Sequence, residues 1–177
     1  FCDGDYLAQK TYPKSGLAVA RMIGHITYLS DDAMGKKFGR ELKAGTFKQG
    51  TDETVEFQVE SYLRYQGDVF SNKFDANTYI LMTKALDYFD LAREYDNNAI
   101  EAFRAAQCRF LVISFTTDWR FSPERSEKLV ESMVKAGKPV TYAEIDSPYG
   151  HDAFLIPTER YMAIFSAYMG RIAKEVN

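Results

Sequence analysis

The sequence predicts an α/β chain, a helical first half followed by the strand, helix, strand, helix order of a parallel sheet. Three observations carry that prediction. Phe110-Leu-Val-Ile-Ser-Phe115 is a short continuous apolar run and Val140-Thr-Tyr-Ala-Glu-Ile145 is the next strand-like run, as expected of strands buried on both faces. An amphipathic stretch of helical period follows each run. Upstream of residue 108 the apolar positions recur at helical spacing, and that half reads as helices.

Taken in order, residues 1–16 contain Gly4, Pro13 and Gly16 without periodicity and read as an irregular loop. Val19, Met22, Ile23 and Ile26 form an apolar stripe on a helix over 17–29, with Arg21, Gly24 and Tyr28 on the opposite side. Asp31 or Asp32 caps a second helix that carries Met34, Phe38 and Leu42 and ends at Gly45, and 46–54 is a polar connection. Val59, Tyr62 and Leu63 mark a helix ending near Gly67, and Asp75 begins another through Tyr79, Thr83 and Leu86. Asn98 and Glu101 have capping-box spacing at the head of a short helix reaching about Gln107. Tyr62, Tyr65, Tyr79 and Tyr88 read as packing residues of these helices. After the first strand and a loop over 116–121, Ser122 and Pro123 supply an N-cap and an N1 proline. The helix they open carries Leu129, Val130, Met133 and Val134, and Gly137 closes it. A loop over 147–156 follows the second strand. Pro157 then starts a last helix with Tyr161, Phe165, Tyr168, Met169 and Ile172. Strand, helix and parallel strand form a crossover expected to be right-handed. Two strands leave open sheet edges, so the isolated chain is expected to be unstable.

Composition narrows the function classes. With 46% hydrophobic and 27% charged residues, the 177-residue chain has the make-up of an ordinary soluble globular protein. A net charge of −3 with scattered basic residues gives no electrostatic footprint for nucleic acid or an anionic membrane. Cys2 and Cys108 lie far apart with no Cys-x-x-Cys, so no metal site and no disulfide framework is indicated, and a cytoplasmic location is expected. No apolar run reaches the ~20 residues that span a bilayer, and the first residues lack the pattern of a signal peptide. The chain does not begin with Met, which fits an expectation that its true beginning is missing.

Two residues point to chemistry. Asp118 follows the first strand and His151 the second, and open parallel sheets gather ligands and catalytic groups at the carboxyl ends of strands. Where a serine nucleophile comes first, an aspartate and then a histidine complete the acid and base of its triad in this chain order. The aspartate fixes the imidazole tautomer so that the other ring nitrogen can take the serine proton. No Gly-x-Ser-x-Gly turn occurs here, so the nucleophile is expected upstream of Phe1, and this polypeptide alone is expected to be inert. His25, beside Arg21 on a helix, reads as packed or hydrogen-bonded rather than catalytic.

Five stretches carry a resemblance: Gly16-Leu-Ala-Val-Ala-Arg-Met-Ile-Gly-His-Ile-Thr-Tyr-Leu-Ser30, Phe57-Gln-Val-Glu-Ser-Tyr-Leu-Arg-Tyr-Gln-Gly67, Phe74-Asp-Ala-Asn-Thr-Tyr79, Thr116-Thr-Asp-Trp-Arg-Phe-Ser-Pro123 and Gly150-His-Asp-Ala-Phe154. In content and order they resemble the homoserine O-acyltransferases of methionine biosynthesis, which have an α/β-hydrolase fold. The resemblance implies the C-terminal half of such an enzyme, with an irregular loop over 1–16, a helical lid over 17–107 and the last part of the hydrolase core over 108–177. It implies a serine acylated by an acyl-CoA, which is a co-substrate, with no cofactor and no metal, and L-homoserine as acceptor. It also implies that Asp118 and His151 complete the triad and that Arg21 and Asp152 contact the amino-acid substrate. Arg21 can grip a carboxylate as a planar fork, and Asp152 can take an ammonium.

Donor choice is read at Arg120. Family members that use succinyl-CoA resemble this chain in having Arg two residues after the triad Asp, where acetyl-CoA users tend to an apolar residue. A buried succinyl carboxylate needs a counter-charge. Succinyl transfer is therefore the first expectation, and homoserine O-acetyltransferase or a non-catalytic helical interaction module are the alternatives. The expected partners are L-homoserine, succinyl-CoA or acetyl-CoA, and the missing N-terminal half. The aromatic-rich amphipathic helices also fit a homodimer, while nucleic acid and membrane are not expected.

Overall fold

A computed structural model describes residues 1–44 and 57–176. Its helices are α1 (Lys14–Tyr28), α2 (Asp31–Phe38), α3 (Gln58–Ser71), α4 (Ala76–Tyr88), α5 (Ala99–Arg104), α6 (Pro123–Lys135) and α7 (Glu159–Val176). Its strands are β1 (Phe110–Phe115) and β2 (Val140–Ile145), with the ends the apolar runs predict. The expected end of the second helix at Gly45 and the connection over 46–54 lie outside the described residues.

The chain divides into two compact units. One comprises Phe1–Thr27 with Met34–Phe89, the other Tyr28–Ala33 with Asp90–Asn177.

In the helical unit, α1 begins at Lys14, earlier than expected, because Pro13 stands just ahead of the first turn and Leu17 N–H donates to its carbonyl (3.2 Å). Leu17 and Ala18 are its buried residues, while Val19, Ile23 and Ile26 of the expected core stripe are exposed. Periodicity specifies an apolar face but not which face is covered, and here α3 takes the small Ala18 side. A Cβ on Gly67 would stand 3.0 Å from the Cβ and carbonyl oxygen of Ala18 and from Met22 Cε. Gly67 is therefore a close-approach residue in mid-helix, and α3 continues past it to Ser71. Glu60 reaches back to the N–H of Phe57 (2.9 Å) at its start. Asp75 caps α4 as expected, accepting from Thr78 N–H (2.7 Å). The fully buried Tyr6 donates its phenol proton to the same carboxylate, and Tyr6, Leu17 and Ala76 form the core with Phe70 and Tyr79 against it. Tyr62 and Tyr79 pack among these helices, but Tyr65 and Tyr88 are exposed, against expectation. His25 Nδ1 is hydrogen-bonded to the Tyr62 hydroxyl (3.2 Å).

Ser30, not Asp31 or Asp32, caps α2: its hydroxyl accepts from Ala33 N–H (3.0 Å), leaving both aspartates in the first turn. α2 stops at Phe38 short of Leu42, with Gly39 N–H bonded to the Gly35 carbonyl (2.9 Å). Leu42 instead forms a bridge with Phe57.

In the second unit, Asn98 caps α5 through Ile100 N–H (3.1 Å), but Glu101 pairs with Arg104 (3.5 Å) and the helix ends there. β1 and β2 pair in parallel, from Phe110 opposite Val140 to Phe115 opposite Ile145. Both strands are half-buried along most of their length instead of fully buried, and only Ser114, Phe115 and Ile145 are buried. Phe115, Ile145 and Ala153 form the core here, backed by Ile113, Tyr161 and Ile164. α6 starts at Pro123 after Ser122, although the serine hydroxyl makes no capping bond, and Gly137 (φ +71°) follows its end. The stretch expected as loop after β2 holds a 3₁₀ turn, Gly150–Leu155, and α7 starts at Glu159, two residues beyond Pro157.

Candidate active site

β1 and β2 end side by side, so the residues that follow each emerge at one carboxyl edge of the sheet. Beyond β1, a turn closes with Asp118 N–H on the Phe115 carbonyl (3.0 Å) and points Asp118 inward, where it is only 6% exposed. Asp118 Oδ1 accepts the N–H groups of Arg120 (3.0 Å) and Phe121 (2.9 Å), an Asx-type turn. Oδ2 is left for His151 Nδ1, 2.9 Å away. An ionised carboxylate only accepts, so the bond holds a proton on Nδ1 and leaves Nε2 as the basic nitrogen.

His151 sits in the 3₁₀ turn after β2 and is reached through Gly150, at φ +65°. A Cβ at position 150 would lie 2.5 Å from the backbone N of Ser30 and 2.8 Å from the carbonyl carbon of Leu29 and the carbonyl oxygen of Tyr28. Only glycine satisfies both the left-handed backbone and this approach. Ser30 also donates its hydroxyl to the Pro148 carbonyl, so the segment Tyr28–Ala33 holds the histidine loop from one side. Three rings flank the imidazole: Phe121 at 5.0 Å, Phe154 at 5.2 Å and Tyr28 at 5.4 Å between centroids. The His151 side chain keeps 23% exposure, so the cage is open on part of its surface.

Of the residues picked out from sequence, Asp118, His151, Arg120 and Asp152 fall in this unit. The Arg120 guanidinium lies 4.9 Å from the centroid of Tyr28, the same ring that flanks His151. Asp152 is half-buried, next to His151 in the turn. Arg21 belongs to the helical unit, with its guanidinium 5.3 Å from the centroid of Phe70. Among the described residues no cluster of His, Cys, Asp or Glu could hold a metal, and no helix is long and apolar enough to cross a membrane. Cys2 and Cys108 are free thiols.

The aromatic cage lies outside the residues that the sequence singles out. Phe121 and Phe154 stand close to them in the chain, since each follows a candidate residue by three positions. Tyr28 carries no local signal, because its partners lie at the other end of the chain.

A parallel strand pair with an Asp–His hydrogen bond at its carboxyl end defines part of an α/β-hydrolase-type fold. Solved structures agree. The chain is similar to a homoserine O-acetyltransferase from Bacillus anthracis (TM-score 0.71, 19% identity, 86% of this chain and 41% of that one). It is also similar to esterase E22 (TM-score 0.65, 17% identity, 80% and 38%). At such identities the likeness concerns the fold. Sequence comparison goes further: the chain is 68% identical over 173 residues to the homoserine O-succinyltransferase of Saccharophagus degradans, covering 97% of this chain and 45% of that protein. It is 63% identical over 172 residues to that of Cellvibrio japonicus and 61% identical over 173 residues to that of Teredinibacter turnerae, with the same coverage. No family model matches. Over nearly its whole length the chain is similar to these homoserine O-succinyltransferases, and it spans about half the length of the curated relatives it matches.

Proposed function

We propose that this chain supplies the acid and base of a homoserine O-succinyltransferase. The observation that carries the reading is the 2.9 Å hydrogen bond between His151 and Asp118, in a chain 68% identical to a protein of that name. The nucleophilic serine is assigned to the half of the relatives' length that the chain does not span. His151 Nε2 takes the serine proton as the hydroxyl attacks the succinyl thioester, then gives it to the departing CoA thiolate. In the second half-reaction Nε2 takes the proton of the homoserine hydroxyl, which attacks the acyl-enzyme, and returns it to the serine. Asp118 stays ionised throughout, holding the tautomer and offsetting the imidazolium.

Arg21 and Asp152 are assigned to the carboxylate and ammonium of homoserine, a fork and a counter-charge. Arg120 is assigned to the distal carboxylate of the succinyl group. Its guanidinium shares the Tyr28 ring with His151, which supports succinyl over acetyl transfer, because an acetyl group has no charge to meet there. The reaction so assigned uses no metal and no cofactor, with the acyl-CoA as co-substrate.

The test is a full-length chimera in which this chain replaces the matching stretch of the Saccharophagus degradans relative. It should transfer succinyl from succinyl-CoA to L-homoserine. His151→Ala and Asp118→Asn should each lower turnover by ~10³-fold or more, and the double variant little further. A His151→Ala enzyme within a few-fold of its parent removes the base assignment, and a chimera that prefers acetyl-CoA removes the donor assignment.

A further inference from the structure

We propose that Thr117 is a positioning residue whose hydroxyl sets the His151–Asp118 distance by tying the histidine loop to the end of β1. The inference rests on the catalytic reading of that pair and adds a residue to it.

Sheet pairing stops short of the site. Its last backbone rung, Thr116 N–H to the Ile145 carbonyl (3.0 Å), lies two residues before Asp118 and six before His151. Past that rung the two strands no longer impose a mutual register. The bonds that span the gap are side-chain bonds. Thr117 Oγ1 lies 2.6 Å from the Ser147 carbonyl oxygen, and since a carbonyl only accepts, the hydroxyl proton is committed there. Its lone pair then accepts Gly150 N–H at 2.9 Å. One hydroxyl thus satisfies a carbonyl and an amide on the same loop and takes the place of the missing rung. It sits one residue before Asp118 and bonds the residue one before His151, so both ends of the catalytic hydrogen bond are referred to a single oxygen.

The neighbouring hydroxyl works differently. Thr116 Oγ1 accepts Ser147 N–H (3.1 Å) and donates to Asp146 Oδ1 (2.9 Å), which anchors the root of the loop and leaves residue 150 alone. On the far side, Gly150 already meets the backbone of Tyr28, Leu29 and Ser30. The loop cannot move that way, and drift in the other direction is resisted by the Ser30 hydroxyl at Pro148 and, at residue 150 itself, by the Thr117 bond. Loss of the hydroxyl would therefore lengthen the His151–Asp118 contact without touching a substrate, and misplacements of about 1 Å cost on the order of 10²-fold in rate.

Thr117→Val keeps the branched shape and deletes the hydroxyl, whereas Thr117→Ser keeps the hydroxyl. Ser114→Ala removes a buried hydroxyl of the same strand, bonded to Tyr142 at 2.8 Å, and serves as the matched loss of strand stability. In the full-length chimera, Thr117→Val should lower kcat by about 10- to 100-fold with KM for both substrates within twofold. It should also shift or broaden the far-downfield Nδ1 proton resonance of the His151–Asp118 bond. Thr117→Ser should recover most of the rate, and Ser114→Ala should leave both rate and resonance alone. The proposal is overturned by a Thr117→Val kcat within threefold of the parent, by an unchanged downfield proton, or by an equal loss in Thr117→Ser. His151→Ala is measured alongside: if it is nearly inactive while Thr117→Val is normal, the positioning role alone fails. If His151→Ala is itself active, the catalytic reading fails first.

Discussion

Gly150→Ala separates two costs that a glycine can hide. At φ +65° an L side chain incurs about 1–2 kcal/mol of backbone strain. The new methyl would also stand 2.5 Å from a backbone nitrogen and 2.8 Å from two further backbone atoms, none of them the movable end of a side chain. Relieving that overlap shifts the 28–30 segment or the histidine loop, at the ~1–3 kcal/mol typical of overpacking. The sum is about 2–5 kcal/mol of stability. Gly137 provides the reference, because it has nearly the same backbone (φ +71°) with nothing within 4 Å of the added atom. Gly137→Ala should cost only the strain, about 1–2 kcal/mol. Urea denaturation of the two variants in the full-length chimera gives the difference, expected at ~1–3 kcal/mol, and Gly150→Ala alone should also lose turnover because His151 is the next residue. Equal destabilisation, or full turnover in Gly150→Ala, would refute the close approach of the 28–30 segment to the histidine loop.

Other substitutions test other parts of the molecule. Arg120→Leu should weaken the succinyl reaction by about 2 kcal/mol, near 30-fold in kcat/KM, with acetyl-CoA use unchanged or improved. Competition between the two donors reads the ratio, and equal loss with both would instead indicate damage to Asp118 two residues away. Arg21→Lys keeps the charge but loses the fork, so KM for homoserine should rise while acyl-enzyme formation without acceptor stays intact. The Tyr6 hydrogen bond, then Thr78, hold the Asp75 carboxyl below its ordinary 3.8, and the same hydrogen bond to Asp75, with burial, raises the Tyr6 phenol above 10.0. A lowered acid stabilises the fold above its unfolded value and loses that contribution as pH falls through the folded one, whereas a raised phenol loses its contribution as pH climbs above about 10. Asp75→Asn should therefore be less stable at pH 7, with the gap to the parent closing at both extremes. A pH-independent gap in urea midpoints would contradict this.

The strands were legible to the residue, because a six-residue apolar run between turn signals admits few other readings. Asp118 and His151 stand out by their order and by their place after the two strands, and the structure brings them within hydrogen-bonding distance. Ser30, Asp31 and Asp32 are three good caps in a row, and the hydrogen bond that selects Ser30 depends on where the following turn begins. Gly67 reads as a helix end, since a glycine that admits a neighbouring helix looks identical in sequence to one that stops its own. The covered side of α1 is not legible in its periodicity, because the larger side chains Val19, Ile23 and Ile26 form the conspicuous apolar stripe while the small Ala18 receives α3. Tyr28 was invisible for a related reason: a contact between distant segments leaves no trace in local spacing.

That the short segment Tyr28–Ala33 belongs to the unit that holds Asp118 and His151, while the helices on either side of it lie mostly in the other, limits how the protein can be recombined. A swap between relatives that exchanged only residues 90–177 would carry Asp118, His151 and Arg120 but leave the Tyr28 ring and the Ser30 contact to the host. A cassette exchange of the contiguous stretch 1–89 would carry them off. The unit is discontinuous in sequence, and a faithful transplant of the Asp118–His151 surroundings has to move the segment Tyr28–Ala33 from near the start of the chain together with its second half.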